Sequence, residues 1–191
     1  AGTTADTINA AAITEITGTA AEIVAANDNS ELASIDDNFT ATLSGTTGTA
    51  SDISSIDNAT STAVNAATVT SITGTAAELI TIGDADDAGT ILAYTNSAGD
   101  EAYAAVFSGI ADLAQFNAID ADTAGKLDFT DANAYLDLSV NDASDINLAN
   151  LSQADKLTKI DINNSEANTI SNVSAVNLIG VTGGSTTLTI D

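Results

Sequence analysis

The sequence predicts an α/β repeat solenoid in which short parallel strands alternate with short helices, in the manner of leucine-rich repeats. Three observations predict it. The chain carries one passage twice, 56 residues apart: NAAAITEITGTAAEIV from Asn9 to Val24 and NAATVTSITGTAAELI from Asn65 to Ile80, with 11 of 16 positions identical. Each copy reads as a β-branched run, a glycine and a helix start. Strand centres recur at about 26 to 30 residues, enough for one strand and one short helix per repeat. Because the helical segments are brief, an all-β solenoid is the alternative.

The first copy places a strand at Ile13 to Thr17, where apolar and polar side chains alternate, and the second places its equivalent at Val69 to Thr73. Gly18 and Gly74 end these strands, and Thr19-x-x-Glu22 and Thr75-x-x-Glu78 are capping boxes. In a capping box the Thr hydroxyl accepts from the third helical amide while the Glu carboxylate accepts from the Thr amide. A weaker copy lies between them, with Phe39 to Leu43 as strand, Gly48 as break and Thr49-x-x-Asp52 as cap. Residues 1–93 are thus expected to be GTAAE-type repeats. Gly83 to Gly89, with Asp84, Asp86 and Asp87, reads as a solvated acidic turn.

Residues 94–140 differ in composition. Six of the seven aromatic residues, Tyr94, Tyr103, Phe107, Phe116, Phe129 and Tyr135, fall here. Tyr103, Val106, Phe107, Ile110, Leu113 and Phe116 form one stripe at helical spacing, which predicts a core helix over 102–116. Residues 141–191 read as further solenoid turns. Leu148, Leu151, Leu157, Ile160 and Ile162 supply one leucine-rich rhythm, Val173, Val176 and Leu178 another, and Ser185 to Ile190 a closing strand.

Composition narrows function. There are 27 acidic residues, three lysines (Lys126, Lys156 and Lys159) and no arginine, giving a net charge of −24. Such a polyanion repels nucleic acid and anionic membranes, so its expected partners are divalent cations and neighbouring repeats of the same protein. No stretch approaches the length of a membrane span, and no membrane insertion is expected. Without cysteine or histidine the usual nucleophilic triads and imidazole-ligated metals cannot be assembled. A glycosidase pair of carboxylates is always available by chance among 27 acids, but nothing around them orients a sugar. The start AGTT, lacking Met, is expected of a processed product or a piece of something longer. Thr-x-Thr pairs and Asn-x-Ser/Thr sequons recur, and strand propensity and composition account for them.

The repeated VTxITGTAAEI-like strings of residues 9 to 80 resemble the repeats of giant cyanobacterial cell-surface proteins, including those linked to swimming motility. The tail KLTKIDINNSEANTISNVSAVNLIGVTGGSTTLTID is similar to segments of large type-I-secreted, RTX-class adhesins. These resemblances imply an extracellular, cell-surface, non-enzymatic module serving adhesion, a surface layer, a filament or motility. The tail lacks the GGxGxDxLx nonapeptides of RTX calcium rolls, so that calcium mechanism does not transfer.

The best metal candidate is the segment from Asp120 to Asp131. Laid on a 12-residue EF-hand loop it places Asp120, Asp122, Asp128 and Asp131 at positions 1, 3, 9 and 12, Gly125 at position 6, and the backbone carbonyl of Lys126 at position 7. Ala124 departs from the pattern at position 5. The helix ending at Phe116 would enter this loop and residues 132–138 would leave it as a second helix. Calcium held here would stabilise the fold against its own charge. The competing reading is a carbohydrate- or protein-recognition module using the aromatic cluster between Tyr94 and Tyr135.

Overall fold

The computed structural model describes residues 8–29, 32–33, 35, 37–129, 131, 134–137, 146–147, 160–163, 169–171, 178–182 and 187–188. In chain order the elements are β1 (Ile8–Asn9), β2 (Glu15–Gly18), α1 (Ala20–Asn27), β3 (Leu32–Ala33), β4 (Thr40–Leu43), β5 (Thr47–Thr49), α2 (Ala50–Ala59), β6 (Val64–Asn65), β7 (Ser71–Gly74) and α3 (Ala76–Asp87). There follow β8 (Ile91–Leu92), β9 (Ala104–Phe107), β10 (Ile110–Asp112), α4 (Leu113–Asp122), β11 (Leu127–Asp128) and β12 (Tyr135–Asp137). The tail contributes β13 (Ile146–Asn147), β14 (Ile160–Asn163), β15 (Thr169–Ser171), β16 (Leu178–Thr182) and β17 (Thr187–Leu188). Leu148, Leu151, Leu157, Val173 and Val176 lie outside the described residues, so the rhythm expected of them is not tested.

The repeat solenoid expected from the sequence, leucine-rich-like or all-β, is corrected. Among the described residues the chain forms an α/β fold with two parallel four-stranded sheets, four helices and several smaller parallel pairings. One sheet runs β2-β4-β6-β8 and the other β5-β7-β9-β11. Paired residues lie 25, 23 and 27 apart in the first sheet (Glu15 to Thr40, Thr42 to Asn65, Val64 to Ile91). In the second they lie 24, 33 and 22 apart (Thr47 to Ser71, Ser71 to Ala104, Ala105 to Leu127). The sequence reading found one strand per step because β6, β8 and β11 are two residues long, too short to show an alternation. A further consequence is that the near-identical segments Glu15–Gly18 and Ser71–Gly74 enter different sheets, although each leads directly into a capped helix.

The caps are where local chemistry decides structure. Thr19 starts α1 and Thr75 starts α3, each with both bonds of the capping box: the Thr hydroxyl accepts from Glu22 or Glu78 N–H, and that Glu accepts from the Thr backbone amide at 2.9 and 2.8 Å. Thr49 accepts from Asp52 N–H at 3.1 Å, but only this half of the box is made, the Asp arm being one methylene shorter. Asp112 and Gln115 complete a box at α4. Behind each cap the inward positions repeat at helical spacing: Ala20 and Ile23; Ala50, Ile53 and Ile56; Ala76, Leu79 and Ile82; Phe116 and Ile119.

The core helix expected over 102–116 is also corrected. Tyr103, Ala105 and Phe107 are buried while Ala104 and Val106 between them are half-buried, a period of two, and the segment forms β9. Ser108 and Gly109 turn the chain, and the helix begins only after the Asp112 cap. The aromatic stripe had satisfied both periods, and pairing of Ser71–Gly74 with Ala104–Phe107 selects the strand.

Side-chain hydroxyls join each step to the one before. Thr62 Oγ1 donates to Phe39 O at 2.6 Å, Ser61 Oγ to Asp37 O at 3.0 Å, Thr68 Oγ1 to Leu43 O at 2.7 Å and Thr70 Oγ1 to Thr46 O at 3.2 Å. Thr123 Oγ1, which is buried, reaches Tyr103 O at 2.7 Å. Thr60 Oγ1 also donates to Phe39 O. Each such bond is worth about 1 kcal/mol net.

Two glycines separate crowding from conformation. An added Cβ at Gly125 would lie 1.9 Å from Tyr103 O and 2.4 Å from its carbonyl carbon, backbone atoms fixed within β9's approach. At Gly89 nothing lies within 4 Å but φ is +74°. Gly125→Ala should therefore cost at least about 3 kcal/mol and Gly89→Ala about 1 kcal/mol in urea denaturation. Equal costs would contradict this close approach. Thr75→Ala, which removes the α3 cap, should cost about 1 kcal/mol and Thr75→Ser much less by the same measurement.

Candidate functional site

The C-terminal ends of α3 and α4 and the segment before β9 border an open cleft of about 550 Å³. Gly83, in the last turns of α3, lets α4 come close: a Cβ there would fall 2.4 Å from the Asp122 carboxylate. Asp84 and Asp87 line the cleft from α3, Asp100 and Glu101 from the preceding segment, and Asp120 and Asp122 from α4. No basic side chain is among the described residues lining it.

Two part-buried hydrogen bonds order this region. Tyr103 Oη donates to Asp122 Oδ2 at 2.5 Å, and Ala93 N–H donates to Asp86 Oδ1 at 2.6 Å. Burial, and then the Asp122 carboxylate that accepts from it, push the Tyr103 phenol up. Burial raises Asp122 as well, with the charges of Asp87, Asp86 and Asp84 adding to it and the Tyr103 bond opposing them. Burial is also the largest effect on Glu101; the Asp86 hydrogen bond and the charges of Asp122, Asp86 and Asp87 add to it, and its carboxyl is pushed up to about 9.

The predicted metal residues are only partly brought together. The EF-hand geometry is not formed: Asp120 and Asp122 belong to the last turn of α4, Asp128 to β11, and the expected leaving helix is replaced around β12 (Tyr135–Asp137) by a strand. Asp120 is buried, Lys126 and Asp131 are exposed, and the Lys126 carbonyl accepts from Ala105 N–H at 2.8 Å as part of the sheet. Helical backbone through positions 1 and 3 cannot wrap oxygens around an ion in the EF-hand manner. Among the described residues no group of three or more acidic side chains is placed to hold a metal ion. The Gly83 to Gly89 segment, expected as a turn, is helical through Asp87.

The aromatic cluster is mostly core. Tyr103, Phe107, Phe116 and Phe129 are fully buried, and the Phe107 and Phe129 rings stack at 4.1 Å with 5° between planes. Asp100 and Glu101 were missed by sequence reading. Their only local signal is an acidic pair directly before an alternating strand, Asp100-Glu101-Ala102-Tyr103.

Comparison with protein families, with curated proteins and with solved structures finds no match to this chain.

Proposed function

We propose that this chain is a non-enzymatic structural module of an extracellular, cell-surface assembly, acting through stacking of its parallel strands with neighbouring repeats or further copies. The observation that carries this reading is the use of the inward positions. From Ala20 to Ala134 the buried apolar side chains form one continuous cluster that runs across both sheets and all four helices. The aromatic residues that a recognition module would display are within it, Tyr103, Phe107, Phe116 and Phe129 among them.

Open parallel sheets also offer a chemical means of association. A terminal strand presents unpaired amides and carbonyls that another chain can extend. The first sheet ends in β2 and β8, and Leu92 on β8 is 49% exposed, an unusual position for a large apolar side chain here. Against association stands the net charge of −24. Copies repel one another at low ionic strength, and cations, calcium among them, relieve this repulsion.

Sedimentation equilibrium at increasing ionic strength tests the reading: the mass-average should rise with salt and fall back on dilution. A chain that stays monomeric throughout while binding a glycan or protein saturably would support the recognition reading instead. Charge relief also predicts that calcium and magnesium at equal ionic strength raise the melting temperature alike, by roughly 2–4 °C for each kcal/mol of repulsion removed. A calcium-only response, abolished by Asp128→Asn, would point to a dedicated site.

A further inference from the structure

The turn between β8 and β9 is organised by one side-chain amide. Asn96 Oδ1 accepts from Ala98 N–H at 2.8 Å and from Asp100 N–H at 3.1 Å, and Asn96 Nδ2 donates to Asp100 Oδ2 at 3.4 Å. Backbone bonds close the same turn, Asn96 N–H donating to Asp100 O at 2.8 Å and Gly99 N–H to Asn96 O at 3.0 Å. The nitrogen directly after Asn96 is left out of this arrangement. Ser97 N–H donates to no protein acceptor among the described residues, and Ser97 is exposed. The small Ser97 side chain leaves that nitrogen open to its neighbour.

We propose that Asn96 is a site of spontaneous deamidation, in which the Ser97 backbone nitrogen attacks Asn96 Cγ. The two amide donors on Oδ1 stand where negative charge develops as the nitrogen adds, so they favour the addition. The Ser97 N–Cγ bond forms and the Cγ–Nδ2 bond breaks. The proton of the attacking nitrogen passes through solvent to the departing amide, which leaves as ammonia. Water then opens the resulting cyclic imide. Opening at Cγ leaves an aspartate in place of Asn96; opening at the Asn96 main-chain carbonyl leaves an isoaspartate, with the chain running on through Cγ.

The other described asparagines lack this combination. Asn65 is the closest parallel, since its Oδ1 also accepts from the second amide on, Ala67 N–H, at 3.2 Å. There, however, the nitrogen that would attack is committed: Ala66 N–H donates to Leu92 O at 2.9 Å. After Asn58 and Asn117 the next nitrogen belongs to α2 and to α4. Asn38 is followed by the bulky and fully buried Phe39.

Deamidation would act on the border of the acidic cleft. It replaces the Nδ2 donor facing Asp100 Oδ2 with a carboxylate, so an attraction becomes a repulsion. The same turn carries Asp100 and Glu101 to the cleft and is closed by the bridge between Thr95 and Glu101. An isoaspartate also lengthens the main chain inside that turn. The chain therefore gains negative charge and loses order at this border as it ages.

The test follows the full chain through days in warm neutral buffer. Mass spectrometry of elastase peptides reads the conversion of amide to acid at each Asn, and isoaspartyl methyltransferase labelling reads the isoaspartate. Asn96 should convert about tenfold faster than Asn65, because the Ala66 nitrogen must first leave its sheet bond. In denaturing urea both nitrogens are free, and the two rates should approach each other. Ser97→Val crowds the attacking nitrogen at an exposed position, and should slow Asn96 while leaving Asn65 unchanged. Equal rates in the folded chain, no conversion at Asn96, or an undiminished Asn96 preference in urea would each overturn the proposal. The comparison of folded chain with urea needs only the wild type, so it decides even where the variant does not fold.

Discussion

The constraint on which the rest of this structure depends is a mismatch of spacing between its layers. Neighbouring strands in a sheet lie about 4.8 Å apart, whereas packed helices need about 8–10 Å between axes. Here strands and helices advance together: β2, β4, β6 and β8 are consecutive neighbours in one sheet, and α1, α2, α3 and α4 pack in the same succession. Helices that must keep up with strands are forced toward the shortest separations available. Small residues stand where the helices meet their neighbours in the fold. Ala20, Ala50 and Ala76 open the first three helices and are buried, and Gly83 admits the Asp122 side chain of α4. A Cβ on Gly74 would come within 2.8 Å of Ala50 Cβ. The larger buried side chains Ile53, Leu79 and Phe116 stand at the fourth position of their helices.

The same constraint explains what replaces the stabilising devices this chain lacks. It has no cysteine for disulfides, and its few lysines provide little charge pairing. Close advance of successive steps, however, brings side chains within reach of the preceding backbone. Threonine and serine use that proximity by donating to carbonyls 20 to 25 residues earlier, as Thr123 does to Tyr103 and Thr68 to Leu43. A hydroxyl is short enough to make such a bond without separating the strands. The abundance of Thr and Ser, which in isolation reads as surface polarity or strand propensity, thus includes a set of internal ties.

How much of this was legible in the sequence depends on how far apart the interacting residues are. The capping boxes were fully legible, since Thr19 and Glu22, or Thr75 and Glu78, determine each other across one helical turn. Parallel strands and short helices were legible from the repeated GTAAE passage. Their division into two sheets was not, because β6, β8 and β11 are paired by neighbours rather than by their own pattern. Around Tyr103 the residues at strand and helix spacing coincide, and the tertiary pairing of β7 with β9 decides. The acidic cleft was the least legible feature. Its members come from three segments, 84–87, 100–101 and 120–122, of which the sequence singles out two separately, one as a solvated turn and the other as part of an EF-hand-like loop.

The carboxylates of this chain do not act as one uniform charge. Glu22 and Glu78 are held below the ordinary range, first by the backbone amide of Thr19 or Thr75 and then by its hydroxyl. Their contribution is present above the ordinary carboxyl value and is lost as pH falls through the lowered one. Glu101 behaves in the opposite sense, because its surroundings offer burial and other acids where the caps offer donors. Acid therefore loosens the starts of α1 and α3 while it relieves the charge on Glu101. Within α3 the ionised group that matters is Glu78 in its first turn. The residue type is the same at both ends of the argument, and the local supply of donors or acceptors sets the sign.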